Sequence, residues 1–346
     1  MSRVITGTGM SRRSFLRNSS TLGLLAAGAV GGVPLLAACG ADEGSAGGSN
    51  AFDVKLPWIA NTEYAGLFVA EHDKLYADAG LRPNFIPGGP NSAVIPLVAS
   101  RKALVGIEAI PENVANAIHS GSKIKMVGAL LQRSPECWVS LSSAPITQPK
   151  DIEGKRLGIT LAGKNTALVF MKQNGVDTSK VELVPIQFDP APLVAGEIDA
   201  LWGLASNQPV SLEQQGHPAT VMPLADYGFN RMQNVIMVTE ETLADDKAAD
   251  RVRTFLEVSQ DGWAKALADP AKAAQVTVDK YGKDTGLKVE DQTKSLEAMK
   301  PFIERPAGDT HPQFWMTDEL IAQTIESLGF IDIKADPSMF TNELLK

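Results

Sequence analysis

The chain has 346 residues, with 40 acidic and 32 basic side chains, a formal net charge of −8, two cysteines and four histidines. That acidic balance argues against nucleic acid and against broad contact with anionic lipid as partners. The scattered His72, His119, His217 and His311 show no metal-ligand spacing with Cys, Asp or Glu, so neither a metal nor another cofactor is expected.

Residues 1–38 read as an export signal and not as part of a fold. Ser11-Arg12-Arg13-Ser14-Phe15-Leu16 resembles a twin-arginine signal, and the apolar run 22–36 has the length of a signal core and is short for a membrane span. The run ends in Leu36-Ala37-Ala38-Cys39, which looks like a lipobox, with Cys39 the expected lipidated N-terminus after cleavage. A transmembrane anchor competes, but Arg pair, apolar run and Cys in that order favour the signal. Residues 39–51, rich in Gly, Ser and Ala, cannot bury enough apolar surface to fold and read as a flexible tether. With residues 1–38 removed, 28 basic face 40 acidic residues, a net of −12. Cys137 is then left without a disulfide partner.

From residue 52 the pattern alternates strands with helices, the signature of an α/β fold. Strands are expected at 53–59, 83–86, 104–107 and 125–131. Helices are expected at 64–79, stopped by Gly80, at 91–100, and at 111–120, with Pro111 in its first turn and Gly121 after its end. A second set gives strands at 138–142, 156–160, 181–187, 198–202, 220–224 and 235–239. Its helices fall at 165–174, 190–196 and 207–215. From there to Phe330 the chain reads as helical. Two α/β sets followed by a helical tail suggest two lobes.

In open α/β sheets ligands sit beyond the carboxyl ends of the strands. The residues expected there are Trp58, Asn61, Glu63, Tyr64, Gly89, Asn91 and Glu108 in the first set. The second set supplies Trp138, Thr160, Asn165, Asp189, Trp202, Asn207 and Tyr227. Trp58, Trp138 and Trp202 offer flat faces for stacking, while the amides and carboxylates can pair with ring nitrogens and exocyclic amines. The combination points to a planar, polar, neutral or cationic small-molecule ligand. Core packing at a strand end is the alternative for each Trp, and stabilisation of a helix dipole the alternative for Glu63 and Glu108. Gly88-Gly89 reads as a backbone device permitting positive φ and close approach. Gly158 to Asn165 nearly matches P-loop spacing, but Ile159 and Leu161 read as strand continuation and Asn165 replaces the magnesium-binding hydroxyl. No G-x-S-x-G elbow and no H-E-x-x-H occurs.

Taken in order, Leu56-Pro57-Trp58, the run Glu63 to Ala70, Tyr76 to Leu81, Gly88-Gly89-Pro90, Asp151 to Gly158 and Gly196 to Ala200 resemble a known family. These are the ABC-importer solute-binding proteins of the thiamine-pyrimidine-precursor class, with relatives that bind sulfonates, nitrate or riboflavin. The resemblance implies a type II periplasmic-binding fold, two α/β lobes joined by two hinge strands. Lobe 1 would be 52–135 plus 234–346 and lobe 2 136–233, closing on one ligand. It implies a monomeric, non-enzymatic, lipid-anchored protein that hands a heteroaromatic ligand to an importer permease. A sulfonate or nitrate binder is the first alternative. A pyrimidine-synthase-like enzyme is the second, disfavoured because Cys137 stands alone and no His lies at the strand ends. A sensor subunit would share the fold.

Overall fold

In the computed structural model, residues 50–346 are described, apart from 90, 91, 162, 188, 283, 284, 306 and 307. The export signal, Cys39, the tether as far as 49 and Asn91 lie outside the described residues. Among the described residues, ten strands form two five-stranded sheets. The first contains β1 (Ala51–Lys55), β2 (Arg82–Ile86), β3 (Val105–Glu108), β4 (Ile124–Leu131) and β10 (Gln233–Thr239), ordered β2-β1-β3-β10-β4. The second contains β5 (Glu136–Leu141), β6 (Arg156–Ile159), β7 (Glu182–Pro185), β8 (Ala200–Leu204) and β9 (Ala219–Pro223), ordered β7-β6-β8-β5-β9. In each sheet one strand runs against its neighbours. β10 is antiparallel to β3 and β4, and β5 is antiparallel to β8 and β9.

Helices cover both faces of each sheet. Around the first lie α1 (Ala65–His72), α2 (Leu75–Asp78), α3 (Val94–Ala99) and α4 (Pro111–His119); around the second lie α5 (Lys164–Gln173), α6 (Ala191–Val194) and α7 (Gln208–Gln214). The tail supplies α8 (Glu240–Ala244), α9 (Asp246–Ala268), α10 (Pro270–Thr277), α11 (Val289–Ile303) and α12 (Asp318–Phe330). It returns to the first sheet: the backbone N–H groups of Gln132 and Ala129 donate to the Phe302 and Phe314 carbonyls, and Phe340 bridges Met126. Burial on both faces explains why β4 and β10 are nearly continuous apolar runs without alternation.

The helix expected at 64–79 is two. Lys74 has φ +64, and α2 begins after it. The polar Asp73 at this break pairs with Lys265 Nζ at 2.8 Å, and the redirected chain seats Tyr76 against Phe255 with its hydroxyl 2.8 Å from Ser259 Oγ. The helix expected from residue 91 begins at Val94. Strand β6 stops at Ile159, so Leu161 does not continue it and is 91% exposed.

The α1–α9 crossing is a close helix contact in the first lobe. A Cβ on Gly262 would lie 2.2 Å from the Gly66 carbonyl oxygen, and one on Gly66 would lie 2.3 Å from the Trp263 ring. Only glycines let the two backbones approach this closely. Gly262→Ala is expected to destabilise the protein by about 1–3 kcal/mol through overpacking. The denaturation midpoint would fall with the slope unchanged, and an unaltered midpoint would show that the crossing can relax.

Candidate functional site

The topology brings the carboxyl-end edges of both sheets to the same junction. β4 leaves the first sheet at Leu131 and β5 enters the second at Glu136; β9 ends at Pro223 and β10 begins at Gln233. Glu136 pairs in register with Leu204, at the end of β8, and Val235 with Glu108, at the end of β3. Each crossover therefore leaves one carboxyl-end edge and joins the other.

A buried charge cluster fixes the junction. Arg231, 2% exposed, donates from Nη2 to both carboxylate oxygens of Glu136 at 2.8 Å and ion-pairs with Glu112 in the first turn of α4. Its guanidinium carbon lies 5.1 Å from the centre of the Phe229 ring. Ser134 N–H donates to Asn230 Oδ1 at 3.0 Å, and Gln233 Nε2 donates to Ser134 Oγ at 3.3 Å. Burial and the neighbouring Glu136 and Glu108 push the Glu112 carboxyl above its usual range, against the pull of Arg231.

Beyond β1 the chain turns at Pro57-Trp58. Gly88 N–H donates to the Trp58 carbonyl at 2.7 Å and Gly89 N–H to the Pro57 carbonyl at 3.3 Å. A Cβ on Gly88 would lie 2.4 Å from Pro57 backbone atoms, whereas one on Gly89 would meet nothing. Neither glycine has positive φ. The expected device is therefore close approach at Gly88 alone. It pins the turn that leaves Trp58 40% exposed.

Asn61 caps the following turn, its Oδ1 accepting from Glu63 N–H at 2.9 Å. Glu63 Oε1 accepts from Asn234 Nδ2 at 2.8 Å. Asn234 is 1% exposed with φ +50, a left-handed conformation that Asn tolerates better than most residues. Glu108 Oε1 accepts from Asn113 Nδ2 at 2.9 Å. Burial raises both the Glu63 and Glu108 carboxyls despite these bonds. Tyr64 is fully buried, with its hydroxyl in reach of the Glu63 carboxylate and the Trp58 backbone. It lies close enough to Glu63 and Glu108 for their charges to raise its pKa further above the level set by burial.

On the second sheet the picture differs from the expectation. Trp138 and Trp202 face each other across β5 and β8, packed edge to face with centroids 5.3 Å apart. They are 0% and 4% exposed, in a core with Phe170, Met171 and Phe229. They fill the lobe interior and offer no stacking face. Tyr227 also packs against Phe170, its hydroxyl donating to the Thr147 carbonyl at 2.8 Å, so it too is structural. Asp189 is exposed and accepts from Ala191 N–H at 2.9 Å, a local turn just before α6. Thr160 Oγ1 accepts from Gly163 N–H at 3.2 Å, and Lys164 and Asn165 stand exposed in the first turn of α5. Asn207 is exposed at the start of α7.

Arg231, Glu112 and Asn234 carry the junction with Glu136, and these three were absent from the expected set. Their signal is polar residues beside or within buried strands, Glu136 opening β5 and the run Asn230 to Asn234 opening β10.

Arg231→Met is expected to destabilise by about 3–5 kcal/mol, since it strands buried carboxylates without their cation. An unfolding free energy within error of wild type would show that water reaches the junction. Glu63, Glu108 and Glu112 are each more readily protonated in the fold than in the unfolded chain. Their stabilisation is complete below the unfolded value near 4.5 and fades as pH rises through their higher folded values. Glu63→Gln should therefore flatten the fall of the unligated melting temperature as pH rises above about 4.5. A melting profile parallel to wild type would contradict a buried, raised Glu63.

Residues 61–273, more than half of the chain, match the family described as NMT1/THI5 like. Riboflavin-binding protein RibY of Chloroflexus aurantiacus is 25% identical over 302 residues, 84% of each chain. The 4-amino-5-hydroxymethyl-2-methylpyrimidine phosphate synthase of Schizosaccharomyces pombe is 25% identical over 227 residues, 62% of this chain and 65% of that one. Among solved structures, the periplasmic aliphatic sulphonate binding protein SsuA from Escherichia coli superposes with a TM-score of 0.62 at 14% identity, covering 82% of this chain and 87% of that one. The two-lobed α/β architecture is shared with that periplasmic binding protein, and the chain belongs to the NMT1/THI5-like family.

Proposed function

We propose that the protein is the extracytoplasmic solute-binding component of an ABC importer, taking a planar heteroaromatic ligand between its lobes, 52–135 with 234–346 and 136–233. The observation that carries this reading is the exposed Trp58 beside the amide-held carboxylates Glu63 and Glu108, at a junction where two crossovers join two sheets. Asn61, Gly89 and Asn91 on the first lobe and Thr160, Asn165 and Asn207 on the second remain candidate contacts. The family and the riboflavin-binding relative support a ring-shaped ligand over a small anion. Two crossovers also suit a hinge, so that ligand energy can shift an open–closed equilibrium that a permease reads.

The synthase relatives raise an enzymatic reading. Against it, Cys137 is buried with its thiol pushed far up by desolvation, which makes it a poor nucleophile. His72 and His119 sit in the last turns of α1 and α4, at the ends of those helices remote from the strand ends. Binding without chemistry is the simpler use of this site. Export by the twin-arginine route and a lipid on Cys39 complete the proposal, and place a monomer at the outer face of the membrane.

Thermal-shift and calorimetric titration with riboflavin, 4-amino-5-hydroxymethyl-2-methylpyrimidine, an alkanesulfonate and nitrate test the ligand class, because a tight ligand raises the melting temperature by mass action. A heteroaromatic compound is expected to bind. Trp58→Ala should weaken it at least 10-fold, in line with about 1–3 kcal/mol for ring stacking. Undiminished affinity in that variant, or binding of the sulfonate alone, would remove the stacking site. Mass spectrometry of the mature N-terminus should find a diacylglyceryl Cys39, and an unmodified Met1 would refute the anchor.

A further inference from the structure

One helix of the tail touches the candidate site, a helix of the second sheet and the first crossover. Helix α11 buries Leu296, Met299 and Ile303, a stripe at helical spacing, in the core around the first sheet. Gln292 continues that stripe one turn earlier and is 9% exposed. A buried carboxamide on an apolar stripe needs partners. It finds them in Thr62, itself 2% exposed and 230 positions away. Thr62 N–H donates to Gln292 Oε1 at 3.0 Å. The Thr62 hydroxyl lies 3.0 Å from the same oxygen and 3.1 Å from the Gln292 carbonyl oxygen. Thr62 opens the turn Thr62–Tyr64, which carries Glu63 and is capped by Asn61.

The same helix meets two further parts of the molecule. α7, on the second sheet, packs against α11. Ala205, shortly before α7, packs against core residues of both sheets, and its N–H donates to the Pro135 carbonyl at 2.9 Å. The Lys294 ammonium of α11 is held above its usual range by Glu290 first, with Asp291 and, from α7, Glu213 adding to the effect. At the far end of α11 the Phe302 carbonyl accepts from Gln132 N–H at 2.8 Å, where the first crossover leaves β4. With 15 residues, α11 is about 22 Å of continuous helix joining these three places.

We propose that α11 couples lobe closure to the candidate site, with Gln292 as the positioning residue. Seating α7 on α11 holds Gln292 against Thr62 and fixes the turn, and a ligand resting on the fixed turn favours the seated α7. This rests on the solute-binding reading above and names the route by which its site senses closure. The crossovers are continuous chain and stay joined when the lobes move. The α7–α11 contact, edged by the exposed Glu213 and Lys294, is the one that parts on opening. Linkage makes the coupling equal in both directions. The competing picture is a static prop, in which Gln292 holds the turn whatever α7 does.

The Thr62 amide, bonded to Gln292, reports the clamp through hydrogen exchange. Glu213→Cys and Lys294→Cys are joined by a short bismaleimide in the full chain carrying Cys39→Ser, where the buried Cys137 is the one native thiol left. Without ligand, the bridge is expected to slow exchange across residues 58–64 by about 3-fold or more. Gln292→Leu should abolish the slowing, and Gln292→Glu, which keeps an accepting oxygen, should retain it. Exchange unchanged by the bridge, or slowing that survives Gln292→Leu, shows a static prop and overturns the coupling. Failure of the bridge to form overturns it too. The chain with Gln292 intact decides the first point, so a misfolded Leu variant cannot shield the proposal. Riboflavin is then added as a separate probe. If the bridge slows exchange while riboflavin neither binds nor alters it, the riboflavin-like ligand reading fails and the coupling stands.

Discussion

One guanidinium ties the molecule together. Arg231 sits on the second crossover, grips Glu136 at the mouth of the first, and reaches Glu112 on a first-lobe helix. Burying three charges is costly, and the attraction offsets that cost only if the geometry is fixed and the remaining lone pairs are satisfied. Ser134, Gln233 and Asn230 provide part of that network, and Thr324 and Ser327 on α12 hold Met232 N–H and the Asn230 carbonyl. The crossover is thereby locked to the first sheet and to the tail. Three residues on, Asn234 takes a left-handed conformation and delivers its amide to Glu63. The path from junction to candidate site is four residues long, so the orientation of Glu63 depends directly on how the crossover is held.

The exposed face of Trp58 has an equally local cause. Gly88 lets β2's exit lie against the Pro57 backbone, and its N–H takes the Trp58 carbonyl. The turn is fixed through the main chain, which frees the indole from any structural duty. Beneath it, Gly66 and Gly262 allow α1 and α9 to approach until Trp263 covers Gly66. That contact makes the first lobe a rigid base for the site. Sites on rigid elements hold their geometry better than sites on unsupported loops.

Strand and helix order was legible because each element carries its own period and its own stop signal, such as Gly80, Pro111 and Gly121. The break at Lys74 was hidden, because its cause is the long-range seating of Tyr76 on Phe255 and Ser259. The first-lobe candidates Trp58, Glu63 and Glu108 do stand at or just past strand ends, where their place in the sequence puts them. Trp138 and Trp202 misled for a definable reason. A strand's residues alternate between faces, and whether a given position points to a core depends on what lies above it. These two share the face that α5 covers. Arg231 and Asn234 were invisible as site residues since their roles depend on partners 95 and 171 positions away.

These separations divide the molecule's work. Arg231, Gly88 and the α1–α9 glycines set where the edges lie, and none of them need touch a ligand. Trp58, Glu63 and Glu108 can change without disturbing that frame, because the first is held through its backbone and the other two by single carboxamides. A scaffold with this division accommodates different ligands by substitution at a few strand-end positions. That accounts for a shared fold between this chain and a sulphonate-binding protein at 14% identity.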